Sequence, residues 1–229
     1  MKDKLFAVIT GDVANSSRFS GDGRQKLIDT MKRAFAKVDE LLGKDVIAYE
    51  FEIFRGDSFQ AVLQIPEKAL TAALIIRAAI RQSFVTTLKN AVDARIAIGI
   101  GTISHMPEKS AGEGDGQAYR NSGPQLDKMV KHARMLIITT PWETINQELN
   151  VECALLDSLI ARWSKEQAEV VLEYFSGKTQ EEIAEHLQIS QPAIKKRMDS
   201  AGIFEIDLMK QRFQNFFNHE FITLQGYNN

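Results

Sequence analysis

The sequence predicts an α+β chain in two parts, a ferredoxin-like β-α-β-β-α-β domain followed by an all-α helix-turn-helix domain. Three observations predict it. Apolar residues between Leu5 and Ile100 switch between short apolar or period-two runs and helical spacing in that order. Two Gly-Asp pairs, Gly11-Asp12 and Gly56-Asp57, stand at the ends of predicted strands. Thr179 to Arg197 reads as two short helices around a tight turn. The chain then divides into a first domain over 1–140, a connecting helix over 141–163, and a helix-turn-helix domain with an aromatic-rich tail over 164–229.

Leu5 to Thr10 is a short apolar run ending at Gly11 and reads as a buried strand. Leu27, Met31, Ala34, Phe35, Val38, Leu41 and Leu42 follow helical spacing, and Gly43 stops that helix. From Val46 to Phe54 the period becomes two, with Tyr49, Phe51 and Ile53 expected on one face. Arg55-Gly56-Asp57-Ser58 is a hairpin turn, and Phe59, Ala61, Leu63 and Ile65 alternate on the return strand. Pro66 opens a second helix along Leu70, Ala73, Ile76, Ile80, Phe84 and Leu88, and Ala94 to Ile100 alternates again. Helices are expected on one face of this sheet. Gly112, Gly114 and Gly116 mark a mobile loop, before a helix around Leu126 to Ala133 and a strand at Met135 to Thr139. Thr140-Pro141-Trp142-Glu143 is read as a capping box, and Ser164 to Gln167 as a second one. Phe204, Met209, Phe213, Phe216, Phe217 and Phe221 form a tail too apolar to stay in water, packed on its own core or at a dimer contact.

In the second part, Thr179 caps a helix with Glu182 three residues on, and Ile183 and Leu187 give it an apolar face. Ser190 and Pro192 open the next helix, with Ala193, Ile194 and Met198 inward. Gln191, Lys195, Lys196 and Arg197 are expected outward, as side chains able to reach base edges and phosphates of double-stranded DNA. Against this, residues 164–212 hold seven Lys or Arg and nine Asp or Glu, so the unit has no general attraction to phosphate.

The 229-residue chain carries a net charge of −2, which commits it to neither nucleic acid nor membrane. Its single cysteine, Cys153, excludes an internal disulfide and suits a reducing cytoplasm. No signal peptide and no apolar stretch of roughly 20 residues is read, so a cytoplasmic location without membrane contact is expected. The four histidines lie far apart and suggest no zinc site.

In a split β-α-β sheet the ends of the first strand and of the hairpin can meet at one edge. Asp12 and Asp57 could there share Mg²⁺, whose hard-oxygen preference suits a nucleotide phosphate, with Asn15, Ser16 and Ser17 donating to phosphate at the following helix start. The alternative is that both acids only shape turns.

Gly11-Asp12-Val13, Arg55-Gly56-Asp57, Arg95 to Gly101 and Gly123-Pro124-Gln125-Leu126-Asp127 resemble, in order, motifs of the class III nucleotidyl cyclase domain. The hairpin also resembles the signature of diguanylate cyclases. This resemblance implies a nucleotidyl cyclase-like first domain with Asp12 and Asp57 as metal ligands. It departs elsewhere: the transition-state Asn falls on Asp127, the catalytic Arg on Lys131, and the two purine-reading residues on Ile53 and Arg120. No catalytic residue and no cyclic product are therefore expected. Over nearly the whole chain the sequence is similar to the SatD family, through Ile9–Val13, Phe54–Gln60, Asp93–Gly99, Tyr119–Gly123 with Leu126-Asp127, and Ile189–Ala193. That resemblance implies a cyclase-like domain joined to a helix-turn-helix similar to region 4 of sigma factors. The expectation is a DNA-binding regulator, a homodimer whose first domain senses a ligand or pairs protomers. The alternative is an Mg²⁺-dependent nucleotide-binding or nucleotidyl-transfer enzyme.

Overall fold

The computed structural model describes residues 4–54, 56–84 and 92–217. The chain runs β1 (Phe6–Val13), α1 (Asp22–Leu42), β2 (Ile47–Phe54), β3 (Ser58–Leu63), α2 (Ala69–Phe84) and β4 (Ala94–Gly101). It continues through β5 (Ile103–His105), β6 (Asp115–Gly116), α3 (Gln117–His132) and β7 (Leu136–Thr139). Five helices close the chain: α4 (Glu143–Ile160), α5 (Lys165–Phe175), α6 (Gln180–Leu187), α7 (Gln191–Ala201) and α8 (Ile203–Asn215).

The main sheet has the order β2-β3-β1-β4-β7. Its first four strands are antiparallel to their neighbours, and β7 joins β4 in parallel. Ala7, Ile9 and Val13 of β1 point toward α1 and α2, where they meet Leu27, Met31, Ile76 and Ile80 in one core. The opposite face is also covered. Val8 and Val62 pack there with Ala118 of α3. That covering helix is longer than the sequence suggested and runs through Pro124. It sits directly on β4, because a side chain at Gly99 would meet the Ala118 carbonyl at 2.1 Å and one at Gly101 the Ala118 nitrogen at 2.8 Å. Ser122 anchors the contact, donating to the Ala97 carbonyl at 3.0 Å.

Three local expectations are corrected. Tyr49 does not share a face with Phe51 and Ile53, since irregular pairing on both sides of it turns its ring to the α3 face. The glycine-rich stretch is not wholly a loop, because β5 and β6 pair Ile103 with Gly116 and His105 with Asp115. Thr140 and Glu143 do not make a capping box: Trp142 is the cap residue of α4, and Thr140 bonds Asn146 through backbone and side chain. The boxes at Ser164–Gln167 and Thr179–Glu182 are both formed. Arg55, Leu88 and Phe221 lie outside the described residues.

The core does not stop at Thr140. Leu149, Trp163, Val171, Ile194 and Phe213 belong to the same buried cluster as the sheet. The helix α2, an apolar run from Ala69 to Ile80 broken by Arg77, is buried almost all round. Arg77 on its far side is fully buried and ion-paired with Asp93 at 2.9 Å and Asp157 at 2.7 Å. Burial alone would lower its pKa, but the two carboxylates more than offset that and raise it. Arg81 adds bonds to Asp93 and to the carbonyls of Ala161 and Trp163. Among the described residues no helix is long and apolar enough to cross a membrane.

Candidate functional site

The two Gly-Asp pairs meet at one end of the sheet. In the β1–β3 ladder Asp12 stands opposite Ser58, the first residue of β3, and Asp57 immediately precedes that residue in the hairpin turn. Gly11 is required beneath, because a side chain there would meet the Phe59 ring at 2.4 Å and the Arg95 carbonyl at 2.7 Å. Gly56 holds φ at +82° in the hairpin, and the Arg24 guanidinium occupies the space a side chain at 56 would need.

Each acid already has a partner. Arg95, opposite Asp12 on β4, donates from Nε at 2.7 Å and Nη2 at 2.8 Å to its two oxygens. The Ser16 hydroxyl donates to Asp57. About a fifth of each side chain in the Asp12–Arg95 pair is exposed, 19% and 21%, so solvent and small ions reach it. Asn15 takes a left-handed conformation with φ 63°, and Asn15 and Ser17 are exposed while Ser16 is buried. The triplet does not start α1, which begins at Asp22 behind Gly21, but forms a single 3₁₀ turn over Ser16–Arg18. Arg24 was not singled out in the sequence. Arg95 lay within a strand motif, and its distinguishing mark is a charge in a strand of alternating Ala and Ile.

Two carboxylates at a strand end form a donor set that suits Mg²⁺, which usually takes one or two protein carboxylates and completes its shell with water and phosphate oxygens. The fit requires Arg95 to loosen its bidentate hold on Asp12. Among the described residues no group of three or more His, Cys, Asp or Glu surrounds a point. Deeper on the same sheet face, Gln60 donates to Thr10 at 2.8 Å, while its buried carbonyl oxygen has no partner among the described residues.

The four residues expected at DNA separate. Gln191, Lys195 and Lys196 are exposed on α7 and Arg197 is half-buried; Lys196 and Arg197 border the start of α5 beside Ser164 and Glu166, away from Gln191 and Lys195. Gln191 donates to Glu181 at 2.9 Å, and Lys195 pairs with Asp199 at 2.8 Å. The neighbouring α6 carries Glu181, Glu182 and Glu185, so the face presented by the two helices is mixed in charge.

Similar folds accompany this geometry. The active GGEEF domain of a diguanylate cyclase from Vibrio cholerae superposes with a TM-score of 0.40 at 16% identity, over 60% of this chain and 83% of that one. Two structures of a bacterial light-regulated adenylyl cyclase give TM-scores of 0.39 and 0.41 at 14% identity, over 61% and 60% of this chain. The aligned part spans only 44% and 43% of those two chains. No curated protein matches the sequence. The SatD family model matches residues 6–215, nearly all of the chain, and the protein belongs to the SatD family.

Proposed function

We propose that the edge formed by Asp12, Asp57, Arg95 and Arg24 binds the phosphates of a nucleotide together with Mg²⁺. The observation that supports this reading is the register that pairs Asp12 with Ser58, next in sequence to Asp57, with Arg95 against Asp12 and Arg24 against Gly56. Asp12 and Asp57 would hold the ion, and Arg95, once displaced from Asp12, is free to meet a phosphate oxygen. The ion would neutralise phosphate charge. The reading is of binding rather than cyclisation. Ile53 packs against the core and Arg120 pairs with Asp115 at 2.6 Å, so neither is placed to read a purine edge. Asp127, where a neutral donor is needed, is an exposed acid.

The experiment is a thermal-shift panel of nucleoside triphosphates with Mg²⁺ or with EDTA. Ligand at a hundred times its Kd stabilises by about 2.7 kcal/mol, or roughly 5–10 °C for a chain of this size. Asp57→Asn should lose that shift while keeping its fold, since the turn rests on Gly56. No shift with any triphosphate would remove the reading.

A second reading keeps DNA as partner, favoured by the exposure of Gln191, Lys195 and Lys196 on one helix after the Gln188–Ser190 turn. Lys195→Ala with Lys196→Ala should weaken duplex binding and lower its salt slope by about 2. Failure of the wild type to retard any fragment of its own upstream region at low salt would end it.

A further inference from the structure

The helix α4 carries two apolar stripes. Ile145, Leu149, Cys153, Leu156 and Ile160 face the core, as one stripe of an amphipathic helix should. Val151 and Leu155 face outward and are 59% and 67% exposed. The helix α8 repeats the pattern: Ile206, Met209 and Phe213 are buried, while Phe204 and Leu208 are 71% and 51% exposed. These four are the large exposed hydrophobics among the described residues, and all lie on this one helix pair. The two helices run antiparallel, with Glu148 bonded to Arg212 at 2.7 Å near one end and Leu159 against Gly202 near the other. Between them lies an open groove of about 400 Å³, floored by Leu155, Leu156, Leu159, Leu208 and Met209. Contiguous apolar surface of this kind is rare on a monomer unless something covers it.

The rim says what covers it. At one end the groove is bordered by Arg162, in the turn just after α4, and Glu205 on α8, at the other by Glu152 on α4 and Arg212 on α8. Signs therefore alternate both along and across the face. A checkerboard of that kind is complementary to itself: under a two-fold axis lying in the face, parallel or perpendicular to the helices, each acid meets a base of the second copy. A self-complementary patch is the signature of an isologous contact. We infer that the α4–α8 face pairs with the same face of a second copy, the four helices forming a bundle around the exposed leucines. Glu148 to Arg162 rises about 21 Å, and two helices side by side are about 20 Å wide, so the face covers roughly 400 Å² per copy. That is at the small end for protein interfaces and implies a reversible dimer.

Sedimentation of the full chain from about 2 to about 200 μM tests this over the range where a weak dimer dissociates. The expected mass rises with concentration from one 25.7 kDa chain toward two. Leu155→Glu with Leu208→Glu should remain at one chain throughout, with an unchanged circular dichroism spectrum. Leu155→Glu alone, at the more exposed of the two positions, serves if the double variant misfolds. Arg162→Glu should weaken association at least tenfold, and mixing it with Glu205→Arg or with Glu152→Arg should restore it for whichever partner it faces. Wild type that stays at one chain, or a Leu155→Glu protein that pairs as well as wild type, overturns the inference. So does an Arg162→Glu protein that pairs unchanged.

Discussion

Two clusters of aspartate and arginine lie at different depths in this molecule, and they do different work. The inner one, Arg77 and Arg81 with Asp93 and Asp157, is sealed between α2, the start of β4 and α4. Asp157 also accepts from the backbone nitrogens of Met135 and Leu136 at 2.9 and 3.2 Å. The outer one, Asp12 and Arg95 with Asp57 nearby, sits at one end of the inner strands, where about a fifth of the ion pair is exposed. Chemically the ion pairs are alike. Burial makes the first a weld, because any unpaired charge inside is costly. Exposure leaves the second exchangeable, because water can replace either partner.

The largest effect should come from breaking the weld. Arg77→Ala takes the shared arginine from two buried carboxylates, leaving Asp93 to Arg81 and Asp157 to Arg134 at 3.5 Å, and should cost about 3–5 kcal/mol, lowering the melting temperature by roughly 6–20 °C. Loss of less than about 1 kcal/mol would mean that water reaches Asp93 and the two clusters are alike after all. Arg95→Ala sharpens the contrast. It should cost only about 1 kcal/mol in EDTA, and Mg²⁺ alone should then raise the melting temperature, since the ion no longer competes with a guanidinium for Asp12. An Arg95→Ala protein indifferent to Mg²⁺ would remove Asp12 as a ligand.

A smaller effect separates both clusters from the helix caps. Thr179→Ala should cost about 1 kcal/mol at neutral pH. The Thr179 backbone N–H and hydroxyl both donate to Glu182 and hold its carboxyl below the usual range, while the Ser164 hydroxyl does the same for Glu166. A folded value below the unfolded one gives stability that is present above the unfolded carboxylate range and lost as pH falls through the folded value. The stability difference between wild type and Glu182→Gln should therefore be present at neutral pH and close in acid, as thermal melts at stepped pH would show. A gap that widened in acid would contradict the sign.

Local chemistry was legible in the sequence. Short-range periodicity placed β1, α1, β3 and β4, and the Ser164 and Thr179 boxes marked the starts of α5 and α6, because these signals depend on neighbours within a few residues. That the first strand and the hairpin turn end at the same side of the sheet followed from strand order. What covers each element did not. The second sheet face under α3, the bulge that turns Tyr49, and the burial of Arg77 each depend on partners distant in the chain. Arg77 interrupts an apolar run, and its burial rests on Asp93, 16 residues on, and Asp157, 80 residues on.

The sequence by itself determined the order β1-α1-β2-β3-α2-β4, where α1 ends and α5 and α6 begin, and that two acids stand near strand ends, since each is decided by backbone preference and local spacing. The tertiary structure alone decided that Arg95 joins Asp12 and Arg24 lies against Gly56, that Arg197 is half-buried against the start of α5, and that α4 and α8 leave a second apolar stripe in water. Those outcomes depend on which surfaces meet, and distant surfaces leave no periodic trace in either sequence alone.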